Sequence, residues 1–453
     1  MSRSTDIKIR RPTAQTCDVL VIGGGPAGST ISAFLAQKGW DVVVIEKACH
    51  PRFHIGESLL PLNLPVLEEL GVLEDVRRIG VMKYGAEFNA PQVGEPVTFY
   101  FSKALDKGHP YAFEVRRSEF DELLLRNSAA KGAHVLEGVK VTHVEFHSGQ
   151  SSLVTAEIEN GDQWRWQTRF LVDASGRDTF LAGQLRIKRR NSRHNSAAIF
   201  GHFDGVPRRP GRDAGNISIY WFEYGWLWMI PLRDNIMSVG AVCWPEYLKT
   251  RRCELEEFLL STIRRCPAAG ERMKQTQLVS PVTATGNYSY QASSMVGDGY
   301  LMVGDAFAFI DPVFSTGVHL AMSGGRLGAD VVDACLKDPA VAPRKLKEFE
   351  RVTRRSLKTL SWLIYRFTSP TIRRMFMGPR NVFRVEEAVI SLLAGDFFGG
   401  TRLRGRLLLF KAIYYGVALT RWRQNLAAYL LRKRNVNSLF SETSQAKEQL
   451  TRP

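Results

Sequence analysis

The sequence predicts an α/β fold, with a parallel-sheet unit of alternating strands and helices first, an antiparallel sheet in the middle and a basic helical region last. Three observations predict it. Strand, glycine turn, helix, strand and acid follow one another without interruption over residues 18–46. Short runs alternating apolar and polar residues fill the stretch 186–298. The net charge of +16 sits almost wholly at the end, where residues 351–453 hold 20 Lys and Arg against 5 Asp and Glu. A chain of 453 residues is long enough to bury more than one core layer.

Asp18 to Ile22 form a β-branched apolar run that reads as a buried parallel strand. Gly23, Gly25, Pro26, Ala27 and Gly28 open the helix that follows, and a second buried run from Val42 ends in Glu46 and Lys47. Gly23 allows the tight turn, Gly25 lets backbone approach a pyrophosphate, and Gly28 lets helix and strand pack closely. The helix start offers unpaired amides to phosphate, and Glu46 stands where an acid takes ribose hydroxyls. This is a Rossmann-like pattern, and alone it does not separate FAD from NAD.

Three later segments resemble FAD-binding proteins of the glutathione-reductase type. Arg117-Ser118-Glu119-Phe120-Asp121 resembles their R-x-x-F-D segment, which places Arg117 near the cofactor. Residues 170–177 (FLVDASGR) are similar to the strand and turn that close their cofactor domain. Leu301 to Ala306 resembles their second fingerprint, which gives Gly304 and Asp305 to the ribityl chain. The plain alternative for Asp305 is a helix N-cap.

In the middle region, Trp226 and Trp228 lie two apart in Gly225-Trp226-Leu227-Trp228-Met229-Ile230-Pro231, so both indoles face one side of a strand. The segment resembles the W-x-W-x-I-P motif of flavin-dependent halogenases, where such rings stand between flavin and substrate. The alternative is a pair of core aromatics. Phe309 to Val318 fits the F-x-x-P-x-x-S-x-G pattern of the same family, implying Pro312 and Ser315 along the flavin and a halide at the Thr316 and Gly317 amides. A helix start suits an anion. Lys83, in Lys83-Tyr84-Gly85-Ala86-Glu87-Phe88, resembles the family lysine that receives hypohalous acid. Pro51 to Pro61 is similar to the family's G-E-S-L-x-P stretch and brings in Ser58.

The resemblance covers residues 15–345. It implies an FAD-binding domain in two parts, 15–185 and 299–345, with 80–115 contributing to the substrate chamber. A substrate domain follows at 186–298 and a helical region at 346–453. It also implies a two-component enzyme that uses FADH2, oxygen and chloride or bromide, with Lys83, Trp226, Trp228 and Ser315 in the chemistry. The substrate would be an electron-rich aromatic, free or tethered to an acyl carrier protein. Asp173 to Arg177 departs from the NADPH segment of single-component hydroxylases, which points to a separate flavin reductase. An aromatic monooxygenase, a geranylgeranyl-reductase-like enzyme and a flavin-binding module without turnover are the alternatives.

Six scattered cysteines without metal-ligand spacing read as reduced thiols of a cytoplasmic protein, with no metal site. The N-terminus is basic and polar through Arg11, unlike a signal peptide. No run reaches the roughly 18 apolar residues of a spanning helix. Thr401 to Asn435 mixes apolar and basic residues in a helical pattern. It reads as a core-packed cover, a dock for an acidic partner or a contact with an anionic membrane surface. Nothing resembles a nucleic-acid-binding motif.

Overall fold

The computed structural model describes residues 14–436, apart from 91–92, 148–150, 287–288, 399–400 and the side chains of 401–402. The basic stretch through Arg11 lies outside the described residues. The fold is the α/β arrangement expected, with helices at the C-terminal end.

In the first sheet Gln15–Ile22 lies between Gln163–Asp173 and Val42–Glu46, all parallel. Tyr300–Met302 joins beyond the former and His134–Glu137 beyond the latter. Ile22 stands opposite both Asp173 and Ile45, and Asp173 opposite Met302, so the strand ends align. Val19, Leu20 and Val21 are fully buried, as expected of a parallel strand covered on both faces. The helices Pro26–Gln37 and Thr316–Lys337 pack against each other beside it. Ligands of such sheets bind outside the carboxyl ends of the strands.

The second sheet runs Gln277–Leu278, Ala197–Asp204, Ile236–Cys243, Gly225–Pro231, Ile217–Phe222, Gly85–Asn89 and Val97–Tyr100. Its pairings are antiparallel except that Gly85–Asn89 runs parallel to Ile217–Phe222. Lys188–Arg190 and Tyr290–Ala292 belong to a small separate sheet with Ala308–Phe309. Side chains alternate across the large sheet with the two-residue period of a strand. Ile219, Trp221, Trp226 and Trp228 join Phe88, Phe367 and Phe376 on one face. Tyr220, Leu227 and Met229 join Phe258 and Leu259 on the other.

The helices Ala342–Ile364, Pro370–Met377, Val385–Leu393 and Thr401–Thr420 cover the tryptophan face. The basic stretch read as one helical pattern is two helices, Thr401–Thr420 and Trp422–Val436, parted at Arg421. Thr420 Oγ1 donates back to the Val417 carbonyl, a local bond that competes with the helix ladder.

Candidate active site

Each glycine of the first turn has its own reason. Gly23 has φ +99°, and a Cβ there would lie 2.5 Å from the Ala174 carbonyl oxygen. A Cβ on Gly28 would lie 1.8 Å from the Gly23 oxygen. At Gly25 a Cβ would meet only Arg52 Nη2, at 3.5 Å, so this position faces open space. That space is a cavity of about 410 Å³ at the strand ends. Gly23, Gly25, Pro26, Ala27, Glu46 and Lys47 line it. Glu46 is seated there by the Gly24 amide at 2.7 Å and the Ala48 amide at 2.9 Å.

Arg117 also lines the cavity and holds Asp121 through two bonds of 2.7 and 2.9 Å. Burial opposes ionisation of Asp121, but Arg117 outweighs it and keeps the carboxyl below its ordinary range. Asp305 faces the same space, and burial raises its carboxyl to about 6 against the pull of Arg177 and Arg117. Among the described residues no group hydrogen-bonds the Asp305 carboxylate, while its backbone carbonyl accepts from the Tyr290 hydroxyl at 2.8 Å. Sugar hydroxyls of a bound cofactor would supply those missing donors. The open face of Gly25, the seated Glu46 and the unbonded Asp305 together fit FAD.

Trp226, Trp228, Pro312, Ser315 and Gly317 line the same cavity. The two indoles are 5.9 Å apart and buried, and Trp228 Nε1 donates to Ser238 Oγ at 3.2 Å. Gly240, opposite Trp228 in the neighbouring strand, leaves room for that ring, since a Cβ would lie 2.3 Å from Trp228 Cζ2. Gly240→Ala is expected to lower stability by about 1–3 kcal/mol through overpacking and to displace the indole. Chemical denaturation and the tryptophan emission of the variant check this.

Ser315 takes the left-handed conformation, φ +56°, at the start of Thr316–Lys337. The first amides of a helix have no acceptor within it, so those of Thr316 and Gly317 can take an anion. Gly317 lines the cavity, whereas the Thr316 side chain is buried outside the lining. Asp311 pins the approach to this turn. It accepts from the Val313 amide at 3.1 Å and from Ser196 Oγ at 2.9 Å, and it pairs with His194 Nε2 at 2.7 Å. Gly28 and Gly304 lie outside the lining, the former in helix packing and the latter in the turn before Asp305.

Lys83 also lies outside the lining, one hydrogen bond behind it. Its strand, Gly80–Lys83, pairs with Ala112–Val115, which puts Lys83 and Glu114 diagonally on one face. Glu57 and Leu59 bond the same partner strand, bringing Ser58 alongside. Lys83 Nζ donates to Ser58 Oγ at 2.5 Å and lies 3.5 Å from Glu114 Oε1. Ser58 itself faces the cavity. Both charged groups are buried, and burial pushes Lys83 down and Glu114 up to about 7. Each group is driven toward its neutral form.

Sequence reasoning passed over Glu114, although a glutamate inside the apolar run Ala112-Phe113-Glu114-Val115 was a signal. It also assigned nothing to Glu57 and His202. Glu57 lines the cavity, and its Oε1 pairs with His202 Nε2 at 2.7 Å.

A glycine-turn sheet end facing an unbonded carboxylate fits a dinucleotide such as FAD. The family profile described as tryptophan halogenase matches residues 18–109 and 103–374. The chain belongs to this family and is a flavin-dependent halogenating oxidoreductase. It is 29% identical over 409 residues to a 1H-pyrrole-2-carbonyl-[peptidyl-carrier protein] chlorinase of Pseudomonas fluorescens, covering 85% of this chain and 90% of that one. It is 37% identical over 325 residues to a tryptophan 2-halogenase of Chondromyces crocatus, covering 70% of this chain and 61% of the relative. The solved structure of the flavin-dependent brominase Bmp2 superposes with a TM-score of 0.78 at 26% identity, covering 88% of this chain and 98% of that one.

Proposed function

We propose that this chain is the halogenating half of a two-component system. It takes FADH2 from a separate reductase and places chlorine or bromine on an electron-rich phenol or pyrrole presented by an acyl carrier protein. The observation that carries the reading is the buried Lys83 amine, which touches the cavity wall through Ser58 and has Glu114 at its side. The carrier-bound substrate of the Pseudomonas chlorinase supports the substrate class.

Reduced FAD, when bound, supplies hypohalous acid from oxygen and the halide. The helix start at Thr316 and Gly317 would hold the halide. Trp226 and Trp228 fill the space where an organic substrate would otherwise reach the oxidant, which disfavours oxygen transfer to carbon. Neutral Lys83 Nζ attacks the halogen of the acid. An N–halogen bond forms, the oxygen–halogen bond breaks, and the oxygen leaves as water with an amine proton. A ring carbon then takes the halogen as the N–halogen bond breaks. The ring proton leaves as the N–halogen bond breaks and is taken up by the amine, which returns to its starting form.

The test supplies the protein with FAD, a reductase, NADH and bromide, together with phenols and pyrroles both free and carrier-loaded. Mass spectrometry is expected to show a bromine isotope pair on a carrier-loaded ring. Gain of one oxygen instead would make the enzyme a monooxygenase, and gain of hydrogen on a prenyl substrate would make it a reductase.

A further inference from the structure

The last two described helices carry apolar residues that no other described residue buries. In Thr401–Thr420 the inner stripe Leu403, Leu407, Phe410 and Tyr414 is buried against the core. The outer stripe is apolar as well, with Leu408 at 66% and Leu419 at 73% exposure. In Trp422–Val436 the residues Trp422, Leu426, Tyr429 and Leu430 are all exposed, Trp422 at 57%. Spacings of three and four place Trp422, Leu426 and Tyr429 on one face of their helix. An exposed apolar face of this size marks a contact with a partner or a membrane.

The charge on these helices has one sign. Residues 401–436 hold nine Lys and Arg and no Asp or Glu. Arg404, Arg423, Lys433 and Arg434 are exposed, and no carboxylate pairs with them among the described residues. No described helix is long and apolar enough to cross a membrane.

We propose that these two helices lie on an anionic lipid surface, with leucines and aromatic rings in the headgroup boundary and cations against lipid phosphates. Exposed leucine beside Trp and Tyr, with long cations that can reach outward, is the composition of an interfacial helix. A protein partner fits less well. Protein interfaces enrich Trp, Tyr and Arg, but leucine seldom carries their binding energy, and here exposed Leu408, Leu419, Leu426, Leu430 and Leu431 outnumber exposed Tyr415, Trp422 and Tyr429. Each Lys or Arg near such a membrane adds attraction, and several together produce steep dependence on anionic lipid and on salt. This inference is independent of the halogenation chemistry.

The experiment is co-sedimentation of the full chain with vesicles of phosphatidylcholine alone or mixed with phosphatidylglycerol. Binding to the anionic vesicles is expected to be tighter by about tenfold or more, and to weaken as salt is raised. The triple variant Leu419→Glu/Trp422→Glu/Leu426→Glu should lose this binding while retaining FAD and its melting temperature. Glutamate is a good helix former, so the helices persist. Equal binding to both vesicles, no binding to either, or unchanged binding by the variant overturns the proposal. So does a dimer dispersed by the variant without vesicle binding, which would assign the face to a second copy. An acidic carrier protein captured by the wild type alone, again without vesicle binding, would assign it to a protein.

Discussion

Lys83→Met is expected to reduce halogenation by about a hundredfold or more while FAD stays bound, because the amine is the only group proposed to receive the halogen. The readouts are halogenated product by mass spectrometry and flavin retained after gel filtration. Removing one member of a buried ion pair can cost about 3–5 kcal/mol of stability. The loss should be smaller here, because Glu114 with its pKa already raised to about 7 can take up a proton when the lysine is gone. Lys83→Met/Glu114→Gln tests this, since it removes the carboxylate and should recover stability without activity. Halogenation retained in Lys83→Met would take the lysine out of the chemistry.

Glu114→Gln separates the two groups. Glu114 raises the Lys83 pKa against the larger effect of burial. Without it the amine loses its proton at lower pH, so the acid limb of the rate profile should move down. Stability carries a second signature. The folded carboxyl holds its proton up to about pH 7, whereas an ordinary one releases it near 4.5. The stabilisation from the bound proton is therefore complete below 4.5 and lost as pH rises to 7. Denaturation midpoints of the wild type should carry that decline, and those of Glu114→Gln should lack it.

Gly25→Val is expected to abolish FAD binding and leave the folded chain intact. A Cβ at Gly25 makes only an ordinary contact with Arg52, and its φ of −73° suits any residue. The added methyls project into the cavity where backbone must approach the pyrophosphate. Gly28→Ala should behave oppositely, because its Cβ would lie 1.8 Å from the Gly23 oxygen and force the helix off the strand. Flavin absorbance with thermal unfolding distinguishes a protein that is folded but empty from one that does not fold. A flavin-loaded Gly25→Val would overturn the assignment of this cavity to FAD.

Legibility differed across the site for physical reasons. The glycine turn, Glu46 and the tryptophan pair are local patterns, set by strand and helix periods over a few residues, so spacing alone placed them. The Lys83–Glu114–Ser58 contact joins three segments through strand pairing, and no period within any one of them marks it. The space at Gly240 that admits Trp228 is likewise a cross-strand fact. The parallel contact of Gly85–Asn89 with the middle sheet and the break at Arg421 also escaped local reading.

By itself the sequence determined the dinucleotide turn, the order of α/β and antiparallel regions, the orientation of Trp226 and Trp228, and the concentration of positive charge near the end. These follow from backbone conformation and side-chain period, which are properties of neighbouring residues. Only the tertiary structure decided that Lys83 stands behind Ser58 beside a buried carboxylate, and that the last described helices carry an apolar face no other described residue covers. Burial is a property of the whole packed chain, and burial both shifts those two ionisable groups toward neutrality and separates a core stripe from an exposed one.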